Sequence, residues 1–137
     1  MTLLSLFCGL FPCLPSPTLP PVRRVGQATV FHVNDRDNPN IAFGCVREAR
    51  RFGLRDLRDD LPVVAMRDVD GPPCGTIIYV EARGRLALGI RLDSGPHGRH
   101  DNGAYRGVID LSPAVASAIN LPGRGVNRRG RVRVRYW

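Results

Sequence analysis

Two carboxylates carry the chemistry that this sequence most invites. Asp93 ends the run Ile90-Arg91-Leu92 and leads into Ser94-Gly95-Pro96, while Asp110 follows Val108-Ile109 and leads into Leu111-Ser112-Pro113-Ala114. Each therefore closes an apolar β-type run, and a carboxylate there is expensive to bury unless paired or hydrogen-bonded. If the chain brings them together, two like charges in one groove do not both ionise freely. One is held protonated near neutrality and becomes an acid able to donate its proton. Structural roles compete with this reading: Asp93 also suits the start of a Ser-Gly-Pro turn, and Asp110 a helix-capping position.

Around them stand groups that would orient a ligand. Arg91 alternates in phase with Asp93, which predicts a shared strand face, and Arg106 precedes Asp110 by a few residues. His97 and His100 lie just past the turn and are candidate proton relays. Tyr79, Tyr105, Tyr136 and Trp137 are candidates for stacking against a ring. Metal chemistry has little to build on, because there is no Cys-x-x-Cys pair and the three histidines are scattered. No cofactor is expected.

The elements that must position these groups read as short strands separated by turns. Ala28-Thr29-Val30-Phe31-His32-Val33 has strand composition, and Asn34-Asp35-Arg36-Asp37-Asn38-Pro39-Asn40 is a turn-forming loop. Residues 47–60 are highly charged and fit either a short surface helix or an irregular excursion. Further strands are expected at Val63-Val64-Ala65-Met66, Thr76-Ile77-Ile78-Tyr79-Val80 and Leu86-Ala87-Leu88-Gly89-Ile90-Arg91-Leu92. A break at Ala82-Arg83-Gly84-Arg85 separates the last two. Ser112 and Pro113 are N-cap and first-turn residues for a helix through Ala114-Val115-Ala116-Ser117-Ala118-Ile119. At the end, Arg131-Val132-Arg133-Val134-Arg135-Tyr136 alternates strictly, so one face is buried and the other wet. Such spacing argues for a small all-β barrel or sandwich.

With 137 residues the chain supports one domain. Its 20 basic residues against 12 acidic give a net charge of +8, and every basic residue is arginine. Six arginines fall between Arg124 and Arg135 with no acid among them. That surface favours polyanionic partners without choosing among nucleic acid, anionic lipid and acidic wall polymer. No recognition-helix or RNA-binding signature supports a specific nucleic-acid role. The apolar stretch 3–14 is too short to cross a bilayer. It has the length of an export-signal core but lacks the preceding basic residue and the cleavage site, so a degraded signal and a plain disordered leader both fit. Pro15-Ser16-Pro17-Thr18-Leu19-Pro20-Pro21 reads as a stiff linker. The expected division is a leader over residues 1–26 and a folded domain over 27–137. Cys8 and Cys13 belong to the leader. Cys45 and Cys74 sit in the domain, each beside a glycine, and in an exported protein would form a disulfide worth roughly 3 kcal/mol. Two unpaired core thiols are the alternative.

Taken in order, these segments resemble the double-psi β-barrel, and within it the rare lipoprotein A and expansin-like group. Pro73-Cys74-Gly75-Thr76-Ile77-Ile78-Tyr79-Val80 resembles that group's Pro-x-Gly-Thr strand. Ile90-Arg91-Leu92-Asp93-Ser94-Gly95-Pro96 resembles its Val-x-x-Asp-x-Gly-Pro. Arg106-Gly107-Val108-Ile109-Asp110-Leu111-Ser112 resembles its Arg-x-x-Asp-Leu-Ser, and Ala28-Thr29-Val30-Phe31 its opening strand. The three-aspartate domain of membrane-bound lytic transglycosylases has a similar arrangement. The resemblance implies a six-stranded barrel with one or two short helices, placed in the periplasm, the envelope or the medium, and acting as a monomer. Its implied partner is peptidoglycan or another acidic wall polysaccharide. Asp93 and Asp110 match the two family aspartates. In a lytic transglycosylase one such acid protonates the glycosidic oxygen and then takes the proton of the sugar's own C6 hydroxyl, which closes the ring. Expansins instead bind and loosen walls without hydrolysis, and cysteine-protease inhibitors and barwin-like proteins share the barrel. This sequence departs from the enzymes at two places. The Thr-Ala-Ala-His segment is replaced by Val63-Val64-Ala65-Met66-Arg67, with no histidine, and the upstream acid has only Glu48 as a counterpart.

Overall fold

The computed structural model describes residues 18–33, 42–104 and 106–137. The apolar leader with Cys8 and Cys13, the 34–40 turn and Tyr105 lie outside the described residues. Six strands and two short helices follow in order: β1 (Val22–Val30), α1 (Val46–Arg51), β2 (Val63–Ala65), β3 (Ile77–Ala82), β4 (Arg85–Asp93), β5 (Ile109–Leu111), α2 (Pro113–Ala118) and β6 (Gly130–Arg135). A 3₁₀ turn, Gly125–Asn127, precedes the last strand.

The strands close a barrel in the order β1-β5-β2-β4-β3-β6. Two of its seams are parallel, β1 with β5 and β2 with β4, and the rest are antiparallel. This is a six-stranded double-psi β-barrel. The strand signals in the sequence mark all six walls. β1 begins at Val22, earlier than the Gln27 expected from composition, because Val22, Arg24 and Val25 pair with β6. A strand edge with an available partner overrides the extended-linker tendency of the proline-rich stretch before it.

Alternation along each strand sorts residues to the two faces of the wall. Ala28 and Val30, Ile78 and Val80, Ile109 and Leu111, and Val132 and Val134 face inward into the main core. Val115, Ala116, Ile119 and Leu121, from α2 and the residues after it, pack into the same core. The α2 N-terminus is held as the sequence predicts: Ser112 Oγ accepts from Val115 N, with Pro113 at the first helical position. Between β3 and β4 a two-residue turn places Arg83 at φ 51° and Gly84 at φ 75°. Such a turn matches the twist of the paired strands.

A smaller core lies outside the barrel wall. Phe43, Cys45, Ala49 and Leu57 cover Val63 and Leu92 there. The Cys45–Cys74 disulfide, with Cα atoms 5.7 Å apart, ties this covering segment to the loop before β3. The charged 47–60 stretch thus holds one short helix, α1, whose apolar side is mostly Ala49.

Candidate functional site

The parallel seams determine where the two aspartates meet. Ala65 of β2 pairs with Asp110 of β5 on one side and with Asp93 of β4 on the other. Both carboxylates therefore stand at one level of the wall with a single strand between them, about 10 Å apart at the Cα atoms. Ala65 is small, so nothing rises from β2 to fill the space. A cavity of about 250 Å³ opens there, lined by both aspartates, Phe31, Ala65 and the Ser94-Gly95-Pro96-His97 turn.

A bulge is responsible for turning Asp93 into this cavity. Val64 pairs with Arg91 but Ala65 pairs with Asp93, so two β4 residues oppose one step of β2. The extra residue reverses the alternation. Asp93 joins Asp110, Ala65 and Thr29 on the outer face, while Arg91 stays on the side of Val64. The expectation that Arg91 shares the face of Asp93 is corrected accordingly. Arg91 is 3 % exposed. Its guanidinium donates to Pro72 O (2.7 Å), to Met66 O (2.9 Å) and to Asp68. It is a strut beneath the site and does not line the cavity.

Each aspartate has a distinct environment. Asp93 Oδ1 accepts from the backbone N–H groups of Gly44 (3.0 Å) and Ser94 (2.9 Å). Burial raises its pKa, opposed by those two donors and by the nearby His97 and Arg91. Asp110 Oδ1 accepts from Thr29 Oγ1 at 3.0 Å, across the β1–β5 seam. Burial pushes Asp110 up to about 6; the Thr29 hydroxyl opposes that rise, and the negative charge of Asp93 adds to it. Below about pH 6 the Asp110 carboxyl thus carries a proton that it can donate, while the Asp93 carboxyl is held by two backbone N–H donors that favour its accepting, ionised form.

Further residues complete the frame. Ser94 Oγ donates to Asp68 Oδ2 (3.0 Å), and Arg91 and Ser94 together hold the Asp68 carboxyl below its usual range. A Cβ on Gly44 would stand 2.6 Å from Asp93 Oδ1, so the glycine lets the segment before α1 approach without displacing the carboxylate. Thr29, Gly44, Asp68 and Phe31 escaped the sequence reading, because their roles depend on pairings between distant segments. Ser94 was visible only as part of the Asp93 turn.

The remaining candidates are dispersed. His97 lines the cavity, whereas His100 is exposed in the loop beyond, where its N–H donates to Ala104 O (2.8 Å). Arg106 is exposed, and its backbone N–H donates to Gly98 O (2.8 Å). Tyr79 is corrected as a cavity group: it lies on β3, which the strand order puts across the barrel from β5. Trp137 is 72 % exposed at the end of the chain. Glu48 sits on α1 beside Gly75, apart from the cavity, with its pKa lowered by a backbone hydrogen bond and by Arg47. Among the described residues no cluster of His, Cys, Asp and Glu could hold a metal ion. Nor is any helix among them long and apolar enough to cross a membrane.

No protein-family model matches the chain, and no curated protein matches it in sequence. Solved structures do resemble it. A papain inhibitor from Streptomyces matches over 85 % of this chain and 96 % of its own, with 14 % identity and a TM-score of 0.50. Cerato-platanin 3 from M. perniciosa matches over 83 % of this chain and 94 % of its own, with 16 % identity and a TM-score of 0.51. At these identities the likeness is one of fold.

Proposed function

We propose that this chain is an exported, glycan-binding barrel that seats a wall polysaccharide across the Asp93–Asp110 groove and holds it without cleaving it. The observation that carries the reading is the carboxylate pair on the outer wall, flanking Ala65, with Asp93 held by backbone N–H groups and Asp110 by the Thr29 hydroxyl. A carboxyl donates when protonated and accepts when ionised, so two carboxyl groups on one groove can serve adjacent sugar hydroxyls in both senses. The cavity, about 250 Å³, is below the roughly 300–1,000 Å³ of pockets that enclose small ligands. It suits one ring of a polymer laid over the surface. The disulfide fits an oxidising compartment.

Binding without cleavage is favoured by what β2 supplies. Where the rare lipoprotein A-like enzymes place a histidine, Met66 is buried and Arg67 donates to Gly107 O (2.6 Å) and Asp70 (3.1 Å). No titratable side chain from β2 enters the cavity, whose only β2 lining residue is Ala65. Incubation with purified peptidoglycan sacculi tests the proposal: the protein is expected to co-sediment, Asp93→Asn to weaken that binding, and the supernatant to lack anhydro-muropeptides. Anhydro products that vanish in Asp93→Asn would make the chain a lytic transglycosylase instead. Absence of binding would overturn the glycan reading.

A second reading rests on the papain inhibitor, whose fold this chain matches over nearly its full length. Under it the protein, at stoichiometric amounts, lowers the turnover of papain on a peptide substrate. Unchanged turnover at a hundredfold excess removes that reading.

A further inference from the structure

The wall opposite the carboxylate groove is built from arginine. β6 lies three strands from β2 in either direction around the barrel. Its Val132 and Val134 are buried in the core, while Arg131 and Arg133 are exposed on the outside. With Arg83 of the β3–β4 turn they line an open cleft of about 420 Å³, together with Val25 and Glu81. Glu81 is already engaged, since it accepts from Arg135 Nε at 3.1 Å. Among the described residues no carboxylate pairs with Arg83, Arg131 or Arg133. Cations gathered on one face repel one another, and an anionic partner relieves that repulsion.

We propose that this cleft is a second binding site, for the anionic groups of a phosphodiester-linked wall polymer. Side chains two apart on a strand face stand about 6.7 Å from each other. Arg131 and Arg133 thus present guanidinium forks in a row, each able to grip the two free oxygens of one phosphodiester. The cleft lining holds no aromatic ring, so the stacking platform on which single-stranded nucleic acid depends is missing. The disulfide also fits an oxidising compartment, away from cytosolic nucleic acid. A polymer that carries phosphate without bases fits both observations.

The test measures binding of the full chain to poly(glycerol phosphate) across a salt series. The Arg131→Gln/Arg133→Gln variant is compared with Arg50→Gln/Arg55→Gln, which removes equal charge from exposed positions elsewhere. The first pair is expected to lower affinity about tenfold and to flatten the salt dependence by about one to two in log–log slope. The second pair is expected to change affinity by less than about twofold. Equal losses in the two variants would reduce the effect to overall charge and overturn the site. Tighter binding to oligothymidylate, or to phosphatidylglycerol vesicles, would overturn the partner. Sacculi stripped of anionic polymer should bind the Arg131→Gln/Arg133→Gln variant as they bind the parent, so failure of the groove and failure of the cleft are read separately.

Discussion

The Asp110 carboxyl lies between the Thr29 hydroxyl, which favours its ionised form, and burial plus the charge of Asp93, which oppose it. Its folded-state pKa of about 6 stands above the ordinary 3.8. Between those values the folded chain binds more protons than the unfolded one, so stability falls as pH rises through that window and levels off above it. Asp110→Asn keeps the size of the side chain and an acceptor for Thr29 while removing the charge. It is expected to match the parent near pH 4 and to exceed it by up to about 3 kcal/mol at pH 8. Urea unfolding at both pH values checks this, and parallel stability curves for the two proteins would refute the assignment. Asp93 is raised in the same direction, so a shallower slope should survive in the variant. Gly44 makes the second residue-level case. An added methyl would press on Asp93 Oδ1 at 2.6 Å and on Ser94 N at 3.3 Å. Gly44→Ala should therefore displace the carboxylate and cost sacculus binding, with a modest stability loss of about 1–2 kcal/mol. Unaltered co-sedimentation would show that the Gly44 contact does not position the acid.

Among the elements, β4 shows what the sequence could and could not disclose. Its apolar content and the Arg83-Gly84 turn mark the strand and its hairpin partner, because both are local properties. The bulge opposite Val64 and Ala65 is not local; it arises only when β2 lies parallel beside β4. Strict alternation accordingly assigned Arg91 to the Asp93 face. Similarly, Thr29 meets Asp110 only through the parallel β1–β5 seam, which joins residues 81 apart in the sequence. The pairing of Cys45 with Cys74 was open to expectation from composition, but its consequence for the site was not. Cys45 N donates to Leu92 O (2.9 Å) and its neighbour Gly44 donates to Asp93, so the disulfide fastens the strap that holds the acid. The bond spans 29 residues, for which loop closure predicts a stabilisation of about 3–4 kcal/mol. Cys45→Ser/Cys74→Ser should lose that much in urea unfolding and bind sacculi more weakly even where still folded. An unchanged unfolding midpoint would show that the two cores hold the strap unaided.

For the molecule as a whole, closure of the barrel is what converts six short strands into two separated surfaces. β6 pairs with β1 on one side and β3 on the other, and these seams join the C-terminal strand to the earliest and the middle parts of the domain. The alternating Arg-Val run made β6 legible as a strand with one wet face, but not its position across from the acidic groove, since strand order depends on pairings no single segment encodes. Without β6, β1 and β3 become open edges with unpaired backbone groups, and the inward row loses Val132 and Val134, which are 1 % and 0 % exposed. Removing residues 130–137 should therefore abolish the cooperative unfolding transition and produce aggregates, seen by circular dichroism and size-exclusion chromatography. Arg131→Gln/Arg133→Gln leaves the same backbone pairs and valines in place, so its unfolding midpoint should stay close to the parent's. If the truncated chain still unfolded cooperatively as a monomer, the barrel would not depend on its last strand. The arginine face would then be an appendage to the acidic groove rather than the opposite wall of one closed structure.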